Sequence, residues 1–198
     1  MPVTLVGFAG KMGSGKNKAA DILYAELYRR GIYFSQVAFA TRLKETVSVL
    51  TGVAYEDTLT QDGKNRMCTV FGKTVGQMLQ EIGTLMRDLY GPDVWCNTLF
   101  DGYDPKEDMW IVTDVRFPNE VEFIKRAGGV IIRMEGDPCS TRGGIDKDRD
   151  TEHVSETALD GRDDLFDAII VNDKPDKEIL RSKIVEVMER LSIGAVHA

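Results

Sequence analysis

Three cysteines in 198 residues, Cys68, Cys96 and Cys139, lie too far apart for a C-x-x-C pair. The sequence therefore offers neither a disulfide framework nor a zinc site, and the three read as reduced, mostly buried thiols. Long apolar runs are missing as well. The opening MPVTLVGFAG is apolar for only a few residues before Lys11, too short for a secretion signal or a membrane span, so a cytoplasmic location is expected. There is no basic run, and 32 acidic against 25 basic residues leave a formal net charge of -7. Such a chain repels nucleic acid and anionic membrane, which excludes a polynucleotide partner unless a local basic channel forms. Internal repeats and low-complexity tracts are also absent, which sets aside solenoids and general disorder.

What is present fits one α/β domain with insertions. A hydrophobic fraction of 42% and a charged fraction of 29% are ordinary for a soluble protein, and a chain of this length buries a sizeable core without staples. Short apolar, β-branched runs at 3–8, 36–40, 109–113, 130–134 and 168–172 read as strands, the third ending at Asp114 and the fifth at Asn172. Between them, apolar residues at helical spacing predict helices at 16–30, 41–50, 74–90, 93–100, 118–127 and 177–191, with Pro118 at a helix start and Gly128-Gly129 at its end. Residues 51–74 read as polar and irregular. Alternating strands and helices predict a parallel sheet covered on both faces, a three-layer α/β fold. Ligands in such folds sit beyond the carboxyl ends of the strands, which directs attention to residues 7–16, 40–44, 114–116 and 172–174.

The first of these carries the strongest motif. Gly10-Lys-Met-Gly13-Ser14-Gly15-Lys16 matches G-x-x-x-x-G-K between a predicted strand and a predicted helix, the context that makes it a phosphate loop. Its glycines let successive N–H groups face one anion, the helix N-terminus adds partial positive charge, and Lys16 reaches the β and γ phosphates. Gly13, Ser14, Gly15, Lys16, Asn17 and Lys18 are thus candidate ATP contacts. The residue after the lysine is ordinarily Ser or Thr, whose hydroxyl ligates Mg²⁺; here it is Asn17, whose amide oxygen is a hard ligand of longer reach. Asp114, at the carboxyl end of a predicted strand, is the second candidate Mg²⁺ ligand, in the Walker B arrangement. Arg116, two residues on, is a candidate bidentate phosphate binder; the alternative is an Asp–Arg pair that fixes the next helix.

Other candidates carry weaker signals. Lys44 and its neighbour Arg42 sit early in a predicted helix, facing either an acceptor or solvent. Trp95 reads equally as a base-stacking residue and as core, Gln80 as a base-edge contact, and Arg87 as a phosphate ligand. Trp110, inside a strand, reads as core. His153 and Glu156, three apart, share a helical face, or merely begin an exposed helix. Arg142 and Arg149 lie in a charged, Gly-rich stretch that is either a lid closing over a phosphoryl group or a solvated loop.

Taken in order, the phosphate loop, Leu79-Gln80-Glu-Ile-Gly83-Thr84 with Arg87 and Trp95, Asp114-Val-Arg116-Phe-Pro-Asn-Glu120, His153 with Ser155-Glu156, and Val171-Asn172-Asp173 resemble the phage-type deoxynucleoside monophosphate kinases over nearly the whole chain. The resemblance implies a P-loop NTPase fold and a single kinase domain over residues 1–198, with a helical acceptor-side insert at about 51–105 and a lid at about 135–164. It implies ATP as donor, Mg²⁺ as cofactor, a deoxynucleoside 5′-monophosphate as acceptor, and allows a homodimer; for a phage-encoded protein the location is the host cytoplasm. By the same resemblance Lys16, Asp114 and Arg116 are catalytic, Asn172 joins the ATP contacts, and Lys44, Gln80, Arg87, Trp95, Arg116, Glu120, His153 and Glu156 bind the acceptor, with Arg142 and Arg149 in the lid. The chain departs from the family pattern at Asn17-Lys18 and at Gly76-Gln77, where a basic pair is usual. Two rivals remain at this level: another small-molecule P-loop kinase of the dephospho-coenzyme A kinase type, and a nucleotide-binding protein without turnover.

Overall fold

The computed structural model describes residues 3–138 and 154–195. In chain order the elements are β1 (Leu5–Ala9), α1 (Lys16–Arg29), β2 (Ser35–Val37), α2 (Ala40–Thr51), α3 (Gln61–Asn65), β3 (Met67–Cys68), β4 (Lys73–Thr74), α4 (Val75–Tyr90) and α5 (Val94–Phe100). They continue with β5 (Trp110–Val115), α6 (Pro118–Arg126), β6 (Val130–Glu135), α7 (Val154–Thr157), β7 (Ala168–Val171) and α8 (Lys177–Arg190). The chain divides into two compact units, one made of Met1–Ala38 with Tyr103–Ala198 and the other of Phe39–Gly102.

The first unit holds a five-stranded sheet in the order β2-β5-β1-β6-β7, with every neighbouring pair parallel. The phosphate-loop strand is therefore central, flanked by β5 and β6. All five of its residues are buried, as expected for a strand covered on both faces. On one face Val6 and Phe8 of β1 pack with Leu23 and Leu27 of α1, Ile132 and Met134 of β6, and Ile184 and Met188 of α8. Each fully buried side chain of this size stabilises the fold by about 1.5–3 kcal/mol. The opposite face is covered by α6, which approaches so closely that a Cβ on Gly7 would fall 2.8 Å from the side-chain tips of both Ile124 and Ile131. Helices thus lie on both faces of a parallel sheet, the three-layer α/β arrangement expected from the strand and helix pattern.

Helix ends follow their local chemistry. Pro118 opens α6 at a position where its missing N–H costs nothing. Because Phe117 has no side-chain acceptor, Glu120 alone caps this end, accepting from the Arg116 and Phe117 N–H groups at 2.6 and 3.1 Å. Asp176 caps α8 through the N–H groups of Glu178 and Ile179. The α1 and α8 helices are also joined by charge: Glu26 accepts from Arg181 at 2.6 Å and from Arg29 one turn away.

The second unit is built on α4, whose capping box is complete: Thr74 Oγ1 accepts from the Gln77 N–H at 3.1 Å and Gln77 Oε1 accepts from the Thr74 N–H at 2.8 Å. Its small core is Val47 of α2 with Val75 and Met78 of α4, and Leu43, Leu79 and Ile82 pack against it. Residues 51–74, expected to be irregular, contain a 3₁₀ turn (Tyr55–Thr58), α3 and the antiparallel pair β3–β4. Among the described residues no helix is long and apolar enough to cross a membrane, and the two described cysteines, Cys68 and Cys96, are thiols.

Candidate active site

The phosphate loop leaves the buried end of β1 and turns into α1. Gly10 (φ 138°) is required by both conformation and space, since a Cβ there would lie 2.3 Å from the Met134 carbonyl oxygen of β6. Gly13 and Gly15 are also at positive φ. The Ser14 N–H donates to the Lys11 carbonyl at 3.2 Å, closing the curl. Lys16 is buried, and its ammonium crosses the loop to donate to the Gly10 and Lys11 carbonyls at 2.5 and 2.8 Å. Asn17 and Lys18 are exposed on the first turn of α1.

Asp114 lies within β5, one residue before Val115, which pairs with Ala9 at the end of β1. The strand was expected to stop at Thr113 and instead runs through Asp114 to Val115, because hydrogen bonding to β1 continues past a register shift between Gly7 and Ala9. The residue is half-buried.

Arg116 follows directly. Its guanidinium is paired with Glu156, and the same Nη1 donates to the Ser155 carbonyl at 3.3 Å. The other oxygen of Glu156 accepts from the Met12 N–H of the phosphate loop at 2.6 Å. One carboxylate thus joins the guanidinium to a loop amide. Burial by itself would raise the Glu156 carboxyl, but the charge of Arg116, the Met12 amide and the charge of Lys16 outweigh it and hold the group below the ordinary glutamate range. Glu120, expected to touch the acceptor, is buried and occupied at the start of α6. One of its contacts there is to the Arg116 backbone.

Several members of this site were not expected from the sequence. Lys11 pairs with Asp160 at 2.7 Å, and that hydrogen bond chiefly holds the Asp160 carboxyl low. Arg133 of β6 donates to the Leu159 carbonyl at 2.7 Å and lies over the Phe166 ring at 5.0 Å. Its Nε is 3.1 Å from Glu135 without hydrogen-bond geometry. The available signal was Arg133 itself, a cation inside the otherwise apolar run 130–134. Lys11, Ser14, Arg133, Glu135 and Asp160 line an open depression of about 390 Å³ beside the loop. Ser14 Oγ is buried there without a hydrogen-bond partner. An orphaned hydroxyl, curled amides and a lysine at the centre of the loop suit an anion with several acceptor oxygens.

Asn172 follows β7 and is buried, with its side-chain amide donating to the Ser14 carbonyl at 3.0 Å. For a divalent cation the donor set is sparse: among the described residues no group of three or more His, Cys, Asp or Glu is placed to hold one. Asn17 and Asp114 supply hard oxygens, so Mg²⁺ fits here only with phosphate oxygens and water completing its shell.

In the second unit, Lys44 lies half-buried in the second turn of α2. Its neighbour Arg42 pairs with Glu45 at 2.8 Å. Gln80 is exposed and Arg87 half-buried on α4, sharing a face with Gly83, against which Leu43 of α2 packs. Trp95 is buried and its indole N–H donates to the Gly83 carbonyl at 3.4 Å. That is the packing role weighed beside base stacking. Arg142, Arg149 and His153 lie outside the described residues, as do Cys139 and half of the expected lid.

No family model matches the sequence. Over 206 aligned residues, 96% of this chain and 98% of the relative, the sequence is 31% identical to the "Putative deoxynucleotide monophosphate kinase" of Acanthamoeba polyphaga mimivirus. Among solved structures, the shikimate kinase of Bacteroides thetaiotaomicron is similar with a TM-score of 0.53 and 15% identity, covering 96% of this chain and 99% of that one. That likeness concerns the fold, the P-loop kinase fold that the sheet order and the glycine loop of β1 already display. Identity at this level over nearly the full length of both chains settles the family: the chain belongs to the deoxynucleotide monophosphate kinases, and it is a P-loop kinase, a phosphotransferase.

Proposed function

We propose that the chain transfers the γ-phosphoryl group of ATP to a deoxynucleoside 5′-monophosphate, giving the diphosphate and ADP. The observation that carries this reading is the link from Met12 through Glu156 to Arg116. A loop amide and a guanidinium that converge on one carboxylate are spaced for a small oxyanion, and phosphoryl transfer requires donor and acceptor phosphates to approach in line at that scale. Lys16 and the loop amides would hold the donor phosphates, and the planar fork of Arg116 suits the acceptor phosphate. Glu120 and Glu156 would fix the direction of that fork from its backbone and its tip. Lys44, Gln80 and Arg87 of the helical unit are the proposed acceptor contacts there. Mg²⁺, held by Asn17 and Asp114 together with phosphate oxygens, would neutralise charge on the transferring group.

The reading is supported by the relative's description as a deoxynucleotide monophosphate kinase. A coupled assay for ADP release, run with ATP, Mg²⁺ and each deoxynucleoside monophosphate in turn, tests it. Turnover that depends on one or more of these acceptors is the expected result. Turnover only with dephospho-coenzyme A, or ATP binding with no turnover on any acceptor, would replace it with one of the two rival readings.

A further inference from the structure

We infer that Asn172 is a positioning residue for the phosphate loop, acting through the Ser14 peptide and not on the base of the nucleotide. This rests on the reading of the loop as the ATP site and assigns a different task to a residue expected only to touch ATP.

Two hydrogen bonds fix Asn172 from opposite sides. Its backbone N–H donates to the Glu135 carbonyl at the end of β6 at 2.7 Å, and its side-chain Nδ2 donates to the Ser14 carbonyl at 3.0 Å. Only 7% of the residue is exposed, and Ser14 is 1% exposed, so neither bond is in competition with bulk water. The peptide between Ser14 and Gly15 is planar and trans, so its C=O and N–H point in opposite directions. Holding the Ser14 carbonyl toward Asn172 therefore turns the Gly15 N–H away from Asn172. In a G-x-x-x-x-G-K loop that is the amide leading into the helix N-terminus, where phosphate binds.

The surrounding glycines are shaped to this contact. Gly15 has φ 92°, and a Cβ on it would fall 2.5 Å from Asn172 Nδ2. Gly136, at φ 98°, would place a Cβ 2.5 Å from the Asn172 carbonyl oxygen. One residue, through its backbone and its side chain, thus ties three parts of the sheet's carboxyl edge together: the end of β7, the end of β6 and the middle of the phosphate loop. A residue enclosed this way has its amide committed to the loop's backbone. The required group is a neutral donor, because a carboxylate in its place would set oxygen against the Ser14 carbonyl and negative charge beside the phosphates.

The test compares ATP with inorganic tripolyphosphate, which has the phosphates and no base. Dissociation constants for both are measured by calorimetry on the full chain and on Asn172→Ala, Asn172→Ser and Asn172→Asp, with melting temperatures alongside. Loop positioning predicts that, within each variant, both ligands are weakened by the same factor, on the order of tenfold for Asn172→Ala and more for Asn172→Asp, with Asn172→Ser recovering part of the affinity through its hydroxyl donor. Should Asn172→Asp fail to fold, the Ala and Ser variants decide. Weaker ATP binding with unchanged tripolyphosphate binding would overturn the inference in favour of a base contact. Unchanged affinity for both ligands with a lowered melting temperature would overturn it in favour of a purely structural bond. Failure of the unsubstituted chain to bind either ligand would instead remove the reading of the loop as an ATP site.

Discussion

Glu156 Oε2 lies 2.6 Å from the backbone nitrogen of Met12, so a carboxylate from the α7 segment satisfies an amide of the phosphate loop 144 residues earlier in the chain. Its second oxygen is paired with Arg116. The bridge couples the direction of the arginine to the curl of the loop, and the predictions at this site concern that coupling.

Replacing Glu156 with Gln keeps the shape and removes the charge. Since the native carboxyl is held below its ordinary value of 4.5, its contribution to stability is complete above that pH and is lost as pH falls through the depressed native value. Thermal unfolding followed from neutral to acid pH should show the unsubstituted chain ahead of Glu156→Gln at pH 7, with the gap closing below about pH 4.5. Parallel curves across the range would show that the charge contributes nothing.

Arg116→Lys keeps the positive charge and loses the planar fork. The acceptor KM should rise, or turnover fall, by roughly tenfold to a hundredfold, while the ATP KM stays near its original value. An equal rise in both constants would move Arg116 to the donor side.

Asn17 stands where a hydroxyl is usual, and its exposure leaves its amide oxygen accessible to a cation. If that oxygen is a Mg²⁺ ligand, Asn17→Ala should shift the Mg²⁺ dependence of turnover to higher concentration, and Asn17→Ser should preserve or improve it. Superimposable Mg²⁺ titrations for the original and both variants would remove Asn17 from the metal's inner shell.

Glu26 lies far from this chemistry and joins α1 to α8 through Arg181, with Arg29 beside it. Those hydrogen bonds, the one to Arg181 first, hold its carboxyl low despite partial burial. Glu26→Ala leaves two arginines without their shared acceptor and should cost about 1–3 kcal/mol in denaturant unfolding, with kinetic constants unchanged. A loss of activity without a loss of stability would contradict this purely structural assignment.

The sheet was legible because its strands are short apolar runs and its helices carry clear apolar stripes, and the phosphate loop because its glycines sit between the two. The hairpin β3–β4 was not, since strands of two residues carry no periodicity. Glu120 and Glu156 both meet the arginine that was singled out, one at its backbone N–H and the other at its guanidinium, but Glu120 also closes a helix end and Glu156 also accepts from a loop amide, and spacing along the chain does not reveal which partners a carboxylate will find. Lys16, read as reaching the β and γ phosphates, is buried and donates to two carbonyls of its own loop, a contact that the motif does not announce. Lys11, Arg133 and Asp160 escaped notice because their pairing depends on residues brought together only by folding.

The chain leaves the sheet at Ala38, just past β2, and returns at Tyr103, just before β5, and these two strands are hydrogen-bonded neighbours, Val37 opposite Val112. The helical unit thus occupies the place of a single crossover between adjacent parallel strands. For protein engineering this makes residues 39–102 a cassette entered past the carboxyl end of one strand and left ahead of the amino end of its hydrogen-bonded neighbour. Grafting the corresponding stretch of a relative would exchange the proposed acceptor contacts Lys44, Gln80 and Arg87 as a set, and leave the loop, Lys16, Arg116 and Asn172 in their native chain context.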